Sequence, residues 1–355
     1  MHTLFKKGRF AVLAAAALTA AVAGAQLRAA TGVNAYNVLP LVSDGSVSAP
    51  LVDAKGVNIW GLTASATSPW WVSNNGSNTS TLYSGVGAKI ALTVTVDGGP
   101  TGAAFNASGS TLILPGVTTG ARFLFSSEDG KLRGWNSGAA AVVTADHSST
   151  GAVYKGLAIA TLPDGSVRLY APDFHNGRVD VFDGSWQLVT LANAFVDKQI
   201  PKGFAPFNVQ TIGTRLFVTY AKQDAAKHDD VAGPRLGYVD AFDFNGKLLA
   251  RVAKKGLLNS PWGLALAPAD WGKFGGDLLV GNFGDGHINV YQERSNGKWA
   301  YLGSLRNGAA QPIQIPGLWA LAFGNGASAG PTTTLYFSSG PNDEKGGLFG
   351  SISPA

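Results

Sequence analysis

The amino-acid sequence predicts an all-β ring of small sheets, and three observations carry that prediction. The first is an apolar strand, Pro261-Trp262-Gly263-Leu264-Ala265-Leu266-Ala267-Pro268, whose small side chains suit close packing near an axis. The second is a set of strand and turn signals just C-terminal to it: an apolar run at Leu278-Leu279-Val280, a Gly284-Asp285-Gly286 turn signal, and an alternating run from Ile288 to Tyr291. The third is repetition. A sheet of this kind cannot bury both faces alone and needs copies of itself as neighbours. The inner strand recurs at 58–63, 100–105, 154–159, 206–210 and 317–322, which makes six copies at a spacing of about 40 to 57 residues, the spacing of propeller blades. The predicted fold is a six-bladed β-propeller.

In chain order, the N-terminus reads as a targeting segment. Lys6, Lys7 and Arg9 precede an apolar stretch at 10–23 that is too short to span a bilayer, and Ala23-Gly24-Ala25 has the form of a cleavage site. Residues 1–25 are therefore expected to be a signal peptide, with Gln26 the mature start and 26–355 a single domain. Cleavage removes three positive charges and no negative ones, so the formal charge of +5 becomes +2. No basic surplus remains to attract nucleic acid, and no other stretch is apolar enough to cross a membrane. The chain has no cysteine, which excludes disulfides, Cys-zinc sites and thiol nucleophiles. Its 47 glycines and 14% charged residues fit many short strands joined by tight turns.

Second strands are expected at 70–73, 111–114, 167–170, 214–220, 278–280 and 334–337. Third strands are clearest at 177–184 and 237–246. The sixth blade runs from about Ile315 to Ile352, and its third strand, 347–352, leaves it one strand short. The strand at 36–41 is expected to pair there and close the ring, with Pro40 on an outer edge where a missing N–H costs least. Residues 221–235 read as an exposed polar loop of blade 4, and 139–153 as a link between blades 2 and 3.

A resemblance covers essentially the whole mature chain. The segments Tyr154-Lys155-Gly156-Leu157-Ala158, Asp173-Phe174-His175-Asn176-Gly177, Ala205-Pro206-Phe207-Asn208-Val209-Gln210, Pro261 to Pro268, Leu279-Val280-Gly281-Asn282-Phe283-Gly284-Asp285-Gly286 and Gly347-Leu348-Phe349-Gly350 resemble those of a family of exported bacterial proteins, itself similar to NHL-repeat propellers. The resemblance implies fold and export, and no reaction. Some members of that family end in a PEP-CTERM sorting signal. This chain ends Ser351-Ile352-Ser353-Pro354-Ala355, so free secretion or a periplasmic location is expected, and a monomer.

Propellers place function where inner-strand ends and loops meet the central channel. The candidates there are Asn58, Lys155, Asp173, His175, Asn208, Gln223, Asn282, Asp285, His287, Asn342 and Glu344. Asn, Asp and Glu converging on an axis suit a hard divalent cation such as calcium, and lactonase-type propellers use such a set. Here Asn58 stands where those enzymes want an acidic ligand. The same residue types also cap turns. His175 is the candidate general base, with Asp173 to orient it. Lys155 suits an anionic ligand or an ion pair with Asp173 or a neighbouring blade. Trp60, Phe207, Trp262 and Trp319 recur at one repeat position, either lining a mouth for stacking on a ligand or wedging as core. Gly326-Ala327-Ser328-Ala329-Gly330 matches a nucleophile-elbow pattern but lies in a Gly/Ala loop. The functional expectation is a binding or interaction protein that holds a small molecule, carbohydrate, peptide, protein or ion at the channel mouth. The alternative is a divalent-metal hydrolase or lyase.

Overall fold

A computed structural model describes residues 32–355, so the signal-peptide segment and Gln26 lie outside the described residues. Six sheets form the ring. Blade 1 is built from Ile59–Thr63, Trp70–Asn74, Thr79–Tyr83 and Lys89–Thr95, and blade 2 from Pro100–Phe105, Phe123–Ser127, Lys131–Trp135 and Val142–Asp146. Blade 3 has three strands, Ala158–Thr161, Val167–Asp173 and Arg178–Asp183. Blade 4 comprises Phe204–Ile212, Arg215–Lys222, Tyr238–Phe242 and Leu248–Lys254, and blade 5 Pro261–Leu266, Leu278–Asn282, Ile288–Glu293 and Trp299–Ser304. Blade 6 takes Leu318–Phe323, Leu335–Ser339 and Leu348–Pro354 from the end of the chain and Tyr36–Ser43 from its beginning.

The closure is the one the sequence predicts. Tyr36–Ser43 runs antiparallel to the last strand, with Tyr36 opposite Pro354 and Leu39 opposite Ser351. A bulge falls between Pro40 and Val42, and on the outer side only Val42 and Ser43 have partners, in the short strand Leu51–Val52. Pro40 thus sits where no ladder bond is asked of it.

Strand period explains the core. Successive side chains point to opposite faces, and in a ring both faces are covered. In blade 4, Leu216, Val218 and Phe242 join a cluster shared with blade 3, while Phe217, Val239 and Ala241 join one shared with blade 5. Clusters of this kind fill each blade interface. Near the axis the crowding is tighter. A Cβ at Gly102 would lie 2.2 Å from the Leu157 nitrogen, and one at Gly263 2.6 Å from the Trp319 carbonyl oxygen, so glycine is what lets the inner strands approach.

Three expectations need correction. Residues 111–114 are not the second strand of blade 2. Leu112 is buried with φ at 54°, a loop residue anchoring its turn in the core, and the second strand is Phe123–Ser127. Residues 139–153 are not simply a link, because Val142–Asp146 forms the half-exposed outer strand of blade 2. In blade 3 the inner strand starts only at Ala158, and Tyr154 makes a single bridge to Asp173. Among the described residues no fourth strand completes that blade. Instead the Val189 N–H donates to the Val181 carbonyl, and Phe195 packs into the interface.

Candidate functional site

One mouth of the ring is formed where inner strands begin and second strands end. The residue just after each second strand is Asn75, Glu128, Phe174, Gln223, Phe283 or Gly340. Below this rim an aromatic plug fills the axis. Trp60 stacks on Trp319 with ring centroids 3.5 Å apart, Trp262 meets both edge-on, Phe283 stacks on the other face of Trp319 at 4.0 Å, and Phe207 leans on it at 5.9 Å. The edge-to-face and stacked geometries are those that aromatic quadrupoles prefer. Beyond the plug the channel narrows to a cavity of about 40 Å³ lined by Gly61, Gly102, Leu157, Gln210, Leu264 and Leu321. That is room for roughly three waters. Trp262 and Trp319 are buried, with their faces covered by one another and by their neighbours.

Lys155 stands on the plug. Its side chain is 1% exposed, and its ammonium lies 5.2 Å above the Trp60 ring. It donates to Glu128 Oε1 and, at 2.9 Å, to Asp229 Oδ1. Burial alone would push this lysine toward the neutral amine, but the two carboxylates outweigh it and hold the pKa above the ordinary lysine value. Asp229 is shifted downward: burial works against it, and the Lys155 charge and bond together with His228 win. Of the two ion pairs expected for Lys155, the one with Asp173 is not made and the one with neighbouring blades is. Its partners come from blades 2 and 4.

A chain of amides carries the network round the rim. Trp319 Nε1 donates to Asn58 Oδ1 at 3.0 Å. Asn58 Nδ2 donates to Glu344 Oε2 at 2.8 Å, and Asn75 Nδ2 to Glu128 Oε2 at 2.8 Å. Burial raises the Glu344 pKa, and the nearby carboxylates of Glu128 and Asp229 add to the rise. Glu344 is delivered by an unusual turn: Asn342, Asp343 and Glu344 all have positive φ, at 58°, 53° and 63°. Left-handed backbone costs a non-glycine residue about 1 kcal/mol or more, so the turn is held by its surroundings. Trp262 Nε1 donates to the Lys155 carbonyl oxygen, and Asn208 Nδ2 to the Trp262 carbonyl oxygen at 2.8 Å, which makes Asn208 a tie between blades.

The structure does not join His175 to Asp173. Asp173 is fully buried, and its carboxylate accepts from the N–H groups of Val153 and Asn176 and from Asn176 Nδ2 at 2.7 Å, with Arg178 at 3.6 Å. The His175 ring is half-buried and makes no side-chain hydrogen bond among the described residues, while its carbonyl accepts from Gln223. His287 does have an acidic neighbour, with Nδ1 3.3 Å from Asp285 Oδ1. Asp285 also accepts from Asn282 Nδ2 at 3.0 Å. Sequence reading missed Glu128 and Asp229. Glu128 is found once the second strand of blade 2 is placed correctly, because it is then the residue immediately after that strand.

Two proteins of Acanthamoeba polyphaga mimivirus, the uncharacterised proteins L690 and R648, are each 32% identical to this chain over 341 residues, spanning 90% of it and 86% and 80% of their own lengths. The chain belongs to their family. No family model matches it. These relatives come from a virus, not from a bacterium as the resemblance implied. Among solved structures, a streptogramin B lyase superposes with a TM-score of 0.51 at 10% identity, covering 90% of this chain and 97% of the lyase. At that identity the likeness is one of fold alone.

A divalent cation such as calcium would meet the Lys155 ammonium at this mouth. Glu128, His228 and Asp229 do bring one ligand atom each to within 4.8 Å of one another. However, both of those carboxylates are already bonded to the Lys155 ammonium. No helix among the described residues is long and apolar enough to cross a membrane.

Proposed function

We propose that the protein is an exported bacterial binding protein that holds a small polar ligand at the charged mouth of its channel. One observation carries this reading: polar side chains from five of the six blades, Asn58 and Asn75, Glu128, Lys155, Asp229 and Glu344, gather at one mouth, directly above a plug that closes the channel beneath them. Such a blind, rigid rim suits recognition of a carbohydrate, a peptide terminus or an ion. A metal-dependent hydrolase in the same mouth is the second reading, favoured by the Glu128, His228 and Asp229 triad. The ammonium standing between those carboxylates favours binding instead.

The test is calorimetric titration of the purified protein with panels of monosaccharides, oligosaccharides, short peptides and lactones. The expected result is a ligand whose affinity falls roughly tenfold or more, about 1.4 kcal/mol, in Glu344→Gln and Asp229→Asn. Silence across the panels, or a ligand indifferent to both substitutions, overturns the reading. Turnover of a lactone would move it to hydrolysis. Export rests on residues 1–25. Mass spectrometry of protein recovered outside the cytoplasm is expected to find Gln26 first, and an intact Met1 there would overturn it.

A further inference from the structure

We propose that the Lys155 ammonium is a tethered cation standing in the seat of a divalent metal ion, and that removing it turns the mouth into a metal site. This goes beyond ligand binding at the mouth and rests on the binding reading of the wild-type protein, not on the metal-dependent one.

The oxygen set comes first. Glu128 and Asp229 point at a single locus from blades 2 and 4, and His228 lies beside them with Nδ1 3.0 Å from Asp229 Oδ1. Glu344 stands close enough for its carboxyl to feel the charges of Lys155, Glu128 and Asp229. Two carboxylates with a flanking imidazole make a donor set that accepts calcium, manganese or zinc. Converging carboxylates without a cation repel one another, so something positive has to stand among them.

What stands there is Lys155. Its ammonium has three protons: two serve Glu128 and Asp229, and it rests on the π face of Trp60. The backbone of the same residue is pinned by Trp262 Nε1, and the side chain is enclosed, with 1% of it exposed. The cation is thus supplied by the chain and cannot exchange with solvent. Being protonated, this amine is no nucleophile, which sets it apart from the desolvated lysines that form Schiff bases.

Thermal unfolding of wild type, Lys155→Arg and Lys155→Met tests the proposal, with calcium, manganese or zinc chloride as the probe and with chelator as the control. Methionine keeps an apolar stem over Trp60 and removes the charge. Wild type and Lys155→Arg are expected to melt at one temperature with and without each ion, and wild type to carry no stoichiometric metal after purification. Lys155→Met is expected to melt lower and to regain about 4 °C at a hundredfold excess of ion over Kd, with one ion bound per chain. If that variant does not fold unaided, refolding with ion present is expected to rescue it. Stoichiometric metal in wild type, a wild-type melting point that chelator lowers, or a Lys155→Met protein that no ion shifts or rescues overturns the proposal. None of these readings depends on finding the organic ligand.

Discussion

Lys155 and Asp240 are buried to the same degree, at 1% and 0% exposure, and only one of the two side chains makes hydrogen bonds. Lys155 has two carboxylates and an aromatic face. Asp240 is the third residue of the third strand of blade 4, facing the wall between blades 3 and 4, and neither of its oxygens accepts a hydrogen bond. The nearest cation, Arg251 Nε, is 3.7 Å away, and that guanidinium is committed to Asp197. The same position in blade 3 is Asp180, which accepts from the Tyr154 hydroxyl at 2.9 Å and from Arg178 at 2.6 Å. The difference shows where this fold can accommodate charge. Rim loops come from several blades and can be aimed at one point. A wall position has only the neighbours that strand register allots to it.

The largest expected effect tests the satisfied member. Lys155→Met leaves Glu128 and Asp229 facing each other and is expected to cost about 3 kcal/mol or more at pH 7 by denaturant unfolding. The signs come from the shifts. The lowered Asp229 pKa contributes stability above its ordinary value of 3.8 that is lost as acid protonates it, and the raised Lys155 pKa contributes stability below 10.5 that is lost as the amine finally deprotonates. The difference between variant and wild type is therefore expected to shrink as pH falls below 3.8. Equal stability at pH 7 would erase the contrast.

Next comes the unsatisfied member. Burial raises the Asp240 pKa from 3.8 to about 7. For an acid with a raised folded pKa, stability is full below the unfolded value and declines as pH climbs toward the folded one, then stays reduced. Asp240→Asn is expected to stabilise the protein relative to wild type by on the order of 3 kcal/mol more at pH 8 than at pH 4. A pH-independent difference in unfolding midpoint would show that Asp240 is not a strained carboxylate.

The smallest effect sharpens the control in blade 3. Tyr154→Phe removes one hydrogen bond to Asp180 and is expected to cost about 1.5 kcal/mol at pH 7, because the acceptor keeps Arg178. A loss as large as that of Lys155→Met would mean that Asp180 depends on the hydroxyl alone.

The inner strands were legible because crowding at an axis demands small residues, and the closure because a blade one strand short needs a fourth. The second strand of blade 2 was not, because Leu112 is apolar for a loop's reason: it plugs the core from a left-handed turn. That misplacement hid Glu128. Asp229 lay in a run of charges, Lys227-His228-Asp229-Asp230, that reads as solvated loop, and only the fold of blade 4 against blade 3 brings it to Lys155. His175 and Asp173 are two residues apart, yet the carboxylate is taken up by the N–H of Val153 and by the N–H and side-chain amide of Asn176.

The seam in blade 6 sets a timetable for biosynthesis. The Ala355 N–H donates to the Ala35 carbonyl oxygen at 3.0 Å, and Tyr36–Ser43 finds a partner along its length in Leu348–Pro354. A ribosome must therefore emit the residues through Pro354 before that pairing can form. Until then the nascent protein carries an unmated edge, open to chaperones and to other copies of itself.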